Sequence, residues 1–190
     1  MENDIFQVVN MNAGDARKSF QWYKNQINNL GSSIAARDLL GKEKLTNRLI
    51  PGNMYLFVYD PKHKDTLPYY DIYPLVLPFR RLPDGFLGIN LHYLPYLARF
   101  KLLGELNKLA KDKNITENTK IQLSWQLLSS SSRYFAATAC VKHYLVSHLK
   151  SNFLKINFSD WVTAAMLPIE GFKKAPKQKV WRETTRKLSL

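Results

Sequence analysis

Apolar positions along this chain keep two different rhythms. Before residue 45 and after residue 95 they recur mostly at helical spacing, while between residues 50 and 92 they come in short runs broken by turn residues. Residues 52–59 (GNMYLFVY) form the first run, which predicts a strand covered on both faces. A polar loop follows over 60–65, opened by the turn signal Asp60-Pro61. The pattern resumes over 69–79, where Pro74 and Pro78 predict an edge or bent strand, because proline donates nothing to a ladder. Pro83-Asp84-Gly85 then separates the apolar runs 75–82 and 86–91, the signature of a hairpin. Strands and turns packed this densely predict a small SH3-like β-barrel over about residues 50–92.

The flanks predict helices. Pro95 suits a first helical turn, and Leu97, Phe100, Leu103 and Leu106 follow it at helical spacing over 95–111. Upstream, Asn12 or Asp15 can cap a helix carrying Ala16, Phe20, Tyr23 and Ile27, and a second piece spans 33–44. Together they make residues 1–49 a helical arm. Downstream, Ile121, Trp125 and Leu128 form a stripe, and 133–150 predicts an amphipathic helix burying Phe135, Ala139, Val141 and Leu145. Residues 154–158 alternate like a strand, and a short helix over 160–167 stops before Pro168. Residues 169–190 carry a basic tail with one aromatic, Trp181, expected to be extended until contact orders it. The fold class is therefore α+β: a barrel packed with helices in a core of 50–168, between an arm and a tail.

Composition narrows the setting. With 190 residues, 45% of them hydrophobic, the chain can build one real core. No apolar run reaches the roughly 18 residues a membrane span needs. MENDIFQVVN lacks the regions of a secretory signal, and the single cysteine, Cys140, fits a reducing interior. The formal net charge is +13, and residues 101–190 hold sixteen Lys and Arg against six Asp and Glu. Such an excess points to a polyanionic partner or to an acidic protein neighbour.

Catalytic chemistry is not evident. His143 and His148 are five apart, the wrong spacing for two metal ligands on one helix face. Cys140 near His143 lies in apolar surroundings that favour an inert thiol. The glycines at 85 and 88 lack the Lys-Ser/Thr of a phosphate loop. Asp60, Asp65, Asp71 and Asp84 are spread over turns, a poor arrangement for paired acid and base. The chain reads as a non-enzyme with no metal and no cofactor. Tyr69 or Tyr70, with Arg80 and Arg81, can form a stacking surface for bases, but neighbours on a strand point to opposite faces, so only one tyrosine can serve.

One long motif is more specific. Tyr55, Phe57, residues 59–62, Lys64, Asp65 and residues 67–71, followed by residues 85–95 (GFLGINLHYLP), resemble a family of small virion proteins of T4-like tailed bacteriophages. The resemblance covers roughly 55 residues, and similar proteins are labelled DNA end protectors. It implies a protein of the virion, made in the host cytoplasm, with other virion proteins as partners and no membrane. Two roles follow. In the first, the basic C-terminal half neutralises DNA phosphates with Lys173, Lys174, Lys177, Lys179, Arg182, Arg186 and Lys187, and Trp181 stacks on a terminal base. In the second, the chain is an adaptor of the head–tail connector or baseplate, and the same residues grip an acidic neighbour.

Overall fold

In the computed structural model the described residues are 44–111 and 139–188, with positions 114, 116, 126, 127 and 130 between them. The helices expected within 1–43 and the stripe of Ile121, Trp125 and Leu128 lie outside them.

The centre of the molecule is an antiparallel sheet of β1 (Lys44–Thr46), β2 (Met54–Leu56), β4 (Leu75–Leu82), β5 (Gly85–Asn90), β6 (Val141–Leu145) and β7 (Phe153–Ile156). Its order is β1-β7-β2-β4-β5-β6. A separate ribbon pairs β3 (Tyr70–Asp71) with β8 (Phe172–Lys173). The helices are α1 (Tyr96–Lys111), α2 (Trp161–Met166) and α3 (Lys177–Leu188).

The period of two along each strand sorts side chains onto two faces. Met54, Leu75, Leu77, Ile89, Leu154 and Ile156 face the main core, which the helices cover. Tyr55, Phe57, Val76, Phe86, Tyr144 and Phe153 build a second, aromatic cluster on the opposite side. Phe57 packs edge-on against Tyr144 and Phe153, each at 5.2 Å between ring centroids. The expectation of a strand covered on both faces therefore holds for Met54–Leu56, while the rest of the 52–59 run lies outside β2. The hairpin is also present, with Leu82 opposite Gly85 across a two-residue turn. Pro78 sits in an interior strand rather than an edge, and the register with β5 shifts between Pro78 and Arg80, so that strand is the bent one.

Among the described residues no closed barrel is seen, and the SH3-like expectation is not confirmed. Periodicity identified strands within 50–92, but β7, far downstream in sequence, inserts between β1 and β2, and β6 extends the other side. The last part of the expected helical arm is β1, paired with β7 from Lys44 opposite Lys155 to Thr46 opposite Phe153. The helix expected over 133–150 is also corrected where it is described. Residues 141–145 form β6, because alternation there sends Tyr144 into the aromatic cluster. The expected extended tail is corrected too, since α3 buries Val180, Thr184 and Leu188 at i, i+4 and i+8.

The β5–β6 contact is unusually close. A Cβ added at Gly85 would stand 1.9 Å from the Tyr144 carbonyl oxygen, so alanine there must push the strands apart. Gly85→Ala is expected to cost about 1–3 kcal/mol in urea unfolding. An unchanged midpoint would contradict that close approach.

Candidate nucleic-acid interface

A polar hub holds the helix that carries most of the candidate residues. Asn90 ends β5, and its side-chain oxygen accepts from the His92 backbone N–H at 3.0 Å, starting the turn Leu91–Tyr93. Asp71 is buried beside it. Its Oδ1 accepts from the Tyr73 N–H at 3.1 Å and the Gly171 N–H at 2.9 Å. Its Oδ2 accepts from Asn90 Nδ2 at 3.2 Å and lies 2.7 Å from His92 Nδ1. Burial pushes the Asp71 carboxyl up, but the His92 ring and the two amides outweigh it and hold it below the usual carboxylate range. An ionised carboxylate only accepts, so the His92 ring donates through Nδ1.

Arg99, fully buried at 0% exposure, extends the hub. Its Nε donates to the Leu94 carbonyl at 2.8 Å, and its two terminal nitrogens to Ala165 at 2.5 Å and His92 at 3.1 Å. Burial pushes its pKa down to about 10, so at neutral pH it remains a cation. The inner face of α3 is fastened to the same hub. Trp181 Nε1 donates to the His92 carbonyl at 2.8 Å, and Thr184 Oγ1 to the Tyr93 carbonyl at 2.9 Å. Tyr69 donates its hydroxyl to Glu183 Oε2 at 2.7 Å, and burial with that contact pushes the phenol well above its ordinary value.

The outer face of α3 is basic. Lys179, Arg182 and Arg186 are exposed and fall at i, i+3 and i+7, one stripe opposite the buried positions. Among the described residues none of the three forms an ion pair. Lys187 is exposed in the last turn, where a cation also complements the helix dipole.

The other candidates are placed differently. Lys173 is exposed on β8. Lys174 adopts a left-handed φ of 68°, and its ammonium donates to the carbonyls of Lys64, Asp65 and Leu67 at 2.6, 2.8 and 3.2 Å, bracing the 60–67 loop. Lys177 pairs with Glu170 at 2.6 Å. The Trp181 ring meets Tyr96 edge-on at 4.9 Å, with the Arg99 guanidinium 5.2 Å from its centroid, so this tryptophan is a packing anchor rather than the tip of a free tail. Arg80 and Arg81 are exposed near the hairpin, and Arg81 donates to the Leu49 carbonyl. Helix α3 packs on the turn beyond the opposite end of β5, so the length of that strand, on the order of 15 Å, separates the arginine pair from the α3 stripe. Nor do the tyrosines join that pair: Tyr69 is buried, and Tyr70 belongs to the β3–β8 ribbon.

Sequence reasoning missed the hub. Asp71, Asn90 and His92 stood inside the family motif, but Asp71 read as one of four acids spread over turns, His92 as a lone histidine between barrel and helix, and Asn90 drew no reading of its own. Their clustering depends on a pairing between distant segments.

These features define a small α+β protein in which a rigid basic helix is fastened to an open sheet with two covered faces. The family described as Phage T4 terminal DNA protecting protein matches residues 4–184, and the chain belongs to that family. The resemblance carried by the motifs between residues 55 and 95 agrees with this. Comparison with curated proteins and with solved structures found no match.

Proposed function

We propose that this chain binds and protects the ends of packaged DNA through sequence-independent contacts to backbone phosphates. Its role is binding rather than catalysis, exercised in the virion among other virion proteins after synthesis in the host cytoplasm. The observation that carries the reading is the stripe of Lys179, Arg182 and Arg186, unpaired among the described residues and held rigid by the buried face of α3. Membership in a family described by terminal DNA protection supplies the polyanion. Cations on a fixed helix lose little entropy when they meet phosphates, and they release counterions whatever the base sequence.

The test is binding of the full chain to blunt-ended linear and to circular duplex DNA over a salt series, with an exonuclease protection assay alongside. Linear DNA is expected to bind preferentially and to resist digestion. Replacing Lys179, Arg182 and Arg186 together by Glu is expected to flatten the slope of log affinity against log salt by roughly 3. Unchanged affinity and slope in the triple variant would remove the stripe from the interface. Equal binding to linear and circular DNA would remove end recognition.

A further inference from the structure

A second group of basic side chains lines a cleft that α3 does not use. The cleft holds about 380 Å³, within the range of small-ligand sites. Lys62, His63 and Lys142 line it together with Tyr59, Tyr93 and Tyr144. Its roof, the 60–67 loop, is fixed in place by the three hydrogen bonds from Lys174 and by the Lys64–Asp60 pair at 2.9 Å.

The lining is biased toward donors. The Lys142 ammonium stands 4.5 Å from the centre of the Tyr93 ring, and among the described residues it has no carboxylate within ion-pair distance. Burial holds it below the usual lysine range, with the nearby Asp71 charge pulling the other way. Two of the tyrosine hydroxyls have one acceptor site taken: Tyr59 by the Leu145 N–H at 3.1 Å and Tyr144 by Asn90 Nδ2 at 3.1 Å. Each keeps its proton to donate, and burial pushes these phenols and that of Tyr93 above their ordinary value. The two carboxylates at the cleft are already engaged. Asp71 has four donors on its two oxygens, and Asp84 is paired with His143 at 2.9 Å.

We propose that this cleft receives the terminal phosphomonoester of a DNA end, with Lys142 as its deep cation and Lys62 and His63 at the rim. The proposal rests on the reading that the chain protects DNA ends, and it supplies what the α3 stripe lacks. Internal phosphates are diesters with a single charge, whereas a terminal phosphomonoester carries nearly two charges at neutral pH and a third free oxygen. With both carboxylates at the cleft already engaged, the lysines and phenol hydroxyls that line it favour the more highly charged group. The stripe then gives affinity for any duplex, and the cleft distinguishes the end from the middle.

The experiment titrates the full chain with short blunt duplexes bearing a 5′-phosphate, a 3′-phosphate or only hydroxyls at their ends, with circular duplex as reference. A phosphorylated end is expected to bind at least about ten-fold tighter than a hydroxyl end, and the two phosphorylated arms identify which terminus the cleft takes. Lys142→Met, and separately the surface change Lys62→Ala, are expected to bring that ratio close to one. The triple Glu variant on α3 should instead weaken every duplex and keep the ratio. Equal binding of all linear duplexes, with linear still preferred over circular, overturns the cleft and leaves end protection standing. Discrimination that survives both cleft substitutions also overturns it. Failure to bind any DNA at physiological salt overturns both readings together.

Discussion

Asp71→Ala is expected to destabilise the folded chain by about 3–5 kcal/mol, a large share of the 5–15 kcal/mol typical of a domain. Four donors end on this carboxylate: the Tyr73 and Gly171 amides, Asn90 Nδ2 and the His92 ring. Alanine leaves all four without that acceptor, the Asn90 and His92 groups fully buried and the two amides partly so, and each orphaned buried group costs about 1–3 kcal/mol, though not additively. Asp71→Asn is milder, because its oxygen can still serve the two amides while its NH₂ faces Asn90 as donor against donor. A cost of about 2 kcal/mol is expected there. The acid dependence follows from the lowered carboxyl. A carboxylate whose folded pKa lies below its unfolded value contributes stability above the unfolded pKa and loses it as pH falls through the folded one. The stability gap between wild type and Asp71→Asn should therefore be full near neutrality and shrink below about pH 4. Urea titrations at a series of pH values measure that gap, and a gap that stayed constant into acid would mean Asp71 carries no charge in the fold.

How much of this was legible depends on the range of each signal. The hairpin at Pro83-Asp84-Gly85, the helix after Pro95 and the two-faced strand within 52–59 were readable because neighbouring residues decide them. The sheet order was not, because nothing local in 153–156 says that this strand slots between β1 and β2. Residues 141–145 (VKHYL) show how thin the margin was: five residues satisfy a helical or a strand period nearly equally, and the aromatic cluster that receives Tyr144 decides the matter. In α3 the charge count hid the helix. Six of its twelve residues are charged, and the three buried positions include a threonine. Of the candidate site, Lys179, Arg182 and Arg186 were visible as part of a basic run. That Lys174 and Lys177 are spent on internal contacts, and that Lys142 faces a cleft, required the folded chain.

Arg99 carries the remaining large effect. Its guanidinium joins three carbonyls, from Leu94, His92 and Ala165, while Tyr96 and Trp181 cover it at 4.7 and 5.2 Å. It therefore links α1, the turn after β5, α2 and α3 through one planar fork. Lysine retains the charge but offers a single nitrogen that cannot span three carbonyls or stack between rings, so Arg99→Lys is expected to cost about 3 kcal/mol. Arg99→Ala, which adds a cavity and strands the carbonyls, should cost about 4–5 kcal/mol. At 2–4 °C per kcal/mol for a chain of this size, the alanine variant should melt roughly 10–20 °C lower. The loss should not be uniform. Because α3 is held by Trp181 on the His92 carbonyl and by the Arg99 stack, its amides over Lys177–Leu188 should lose hydrogen-exchange protection before those of β4 and β5. A helix loosened in this way no longer presents Lys179, Arg182 and Arg186 as a fixed stripe, so duplex affinity should fall at temperatures where the sheet is still intact. If Arg99→Lys melted like wild type and kept α3 protected, the helix would owe its placement to Val180, Thr184 and Leu188 alone, and the basic stripe would need no polar hub beneath it.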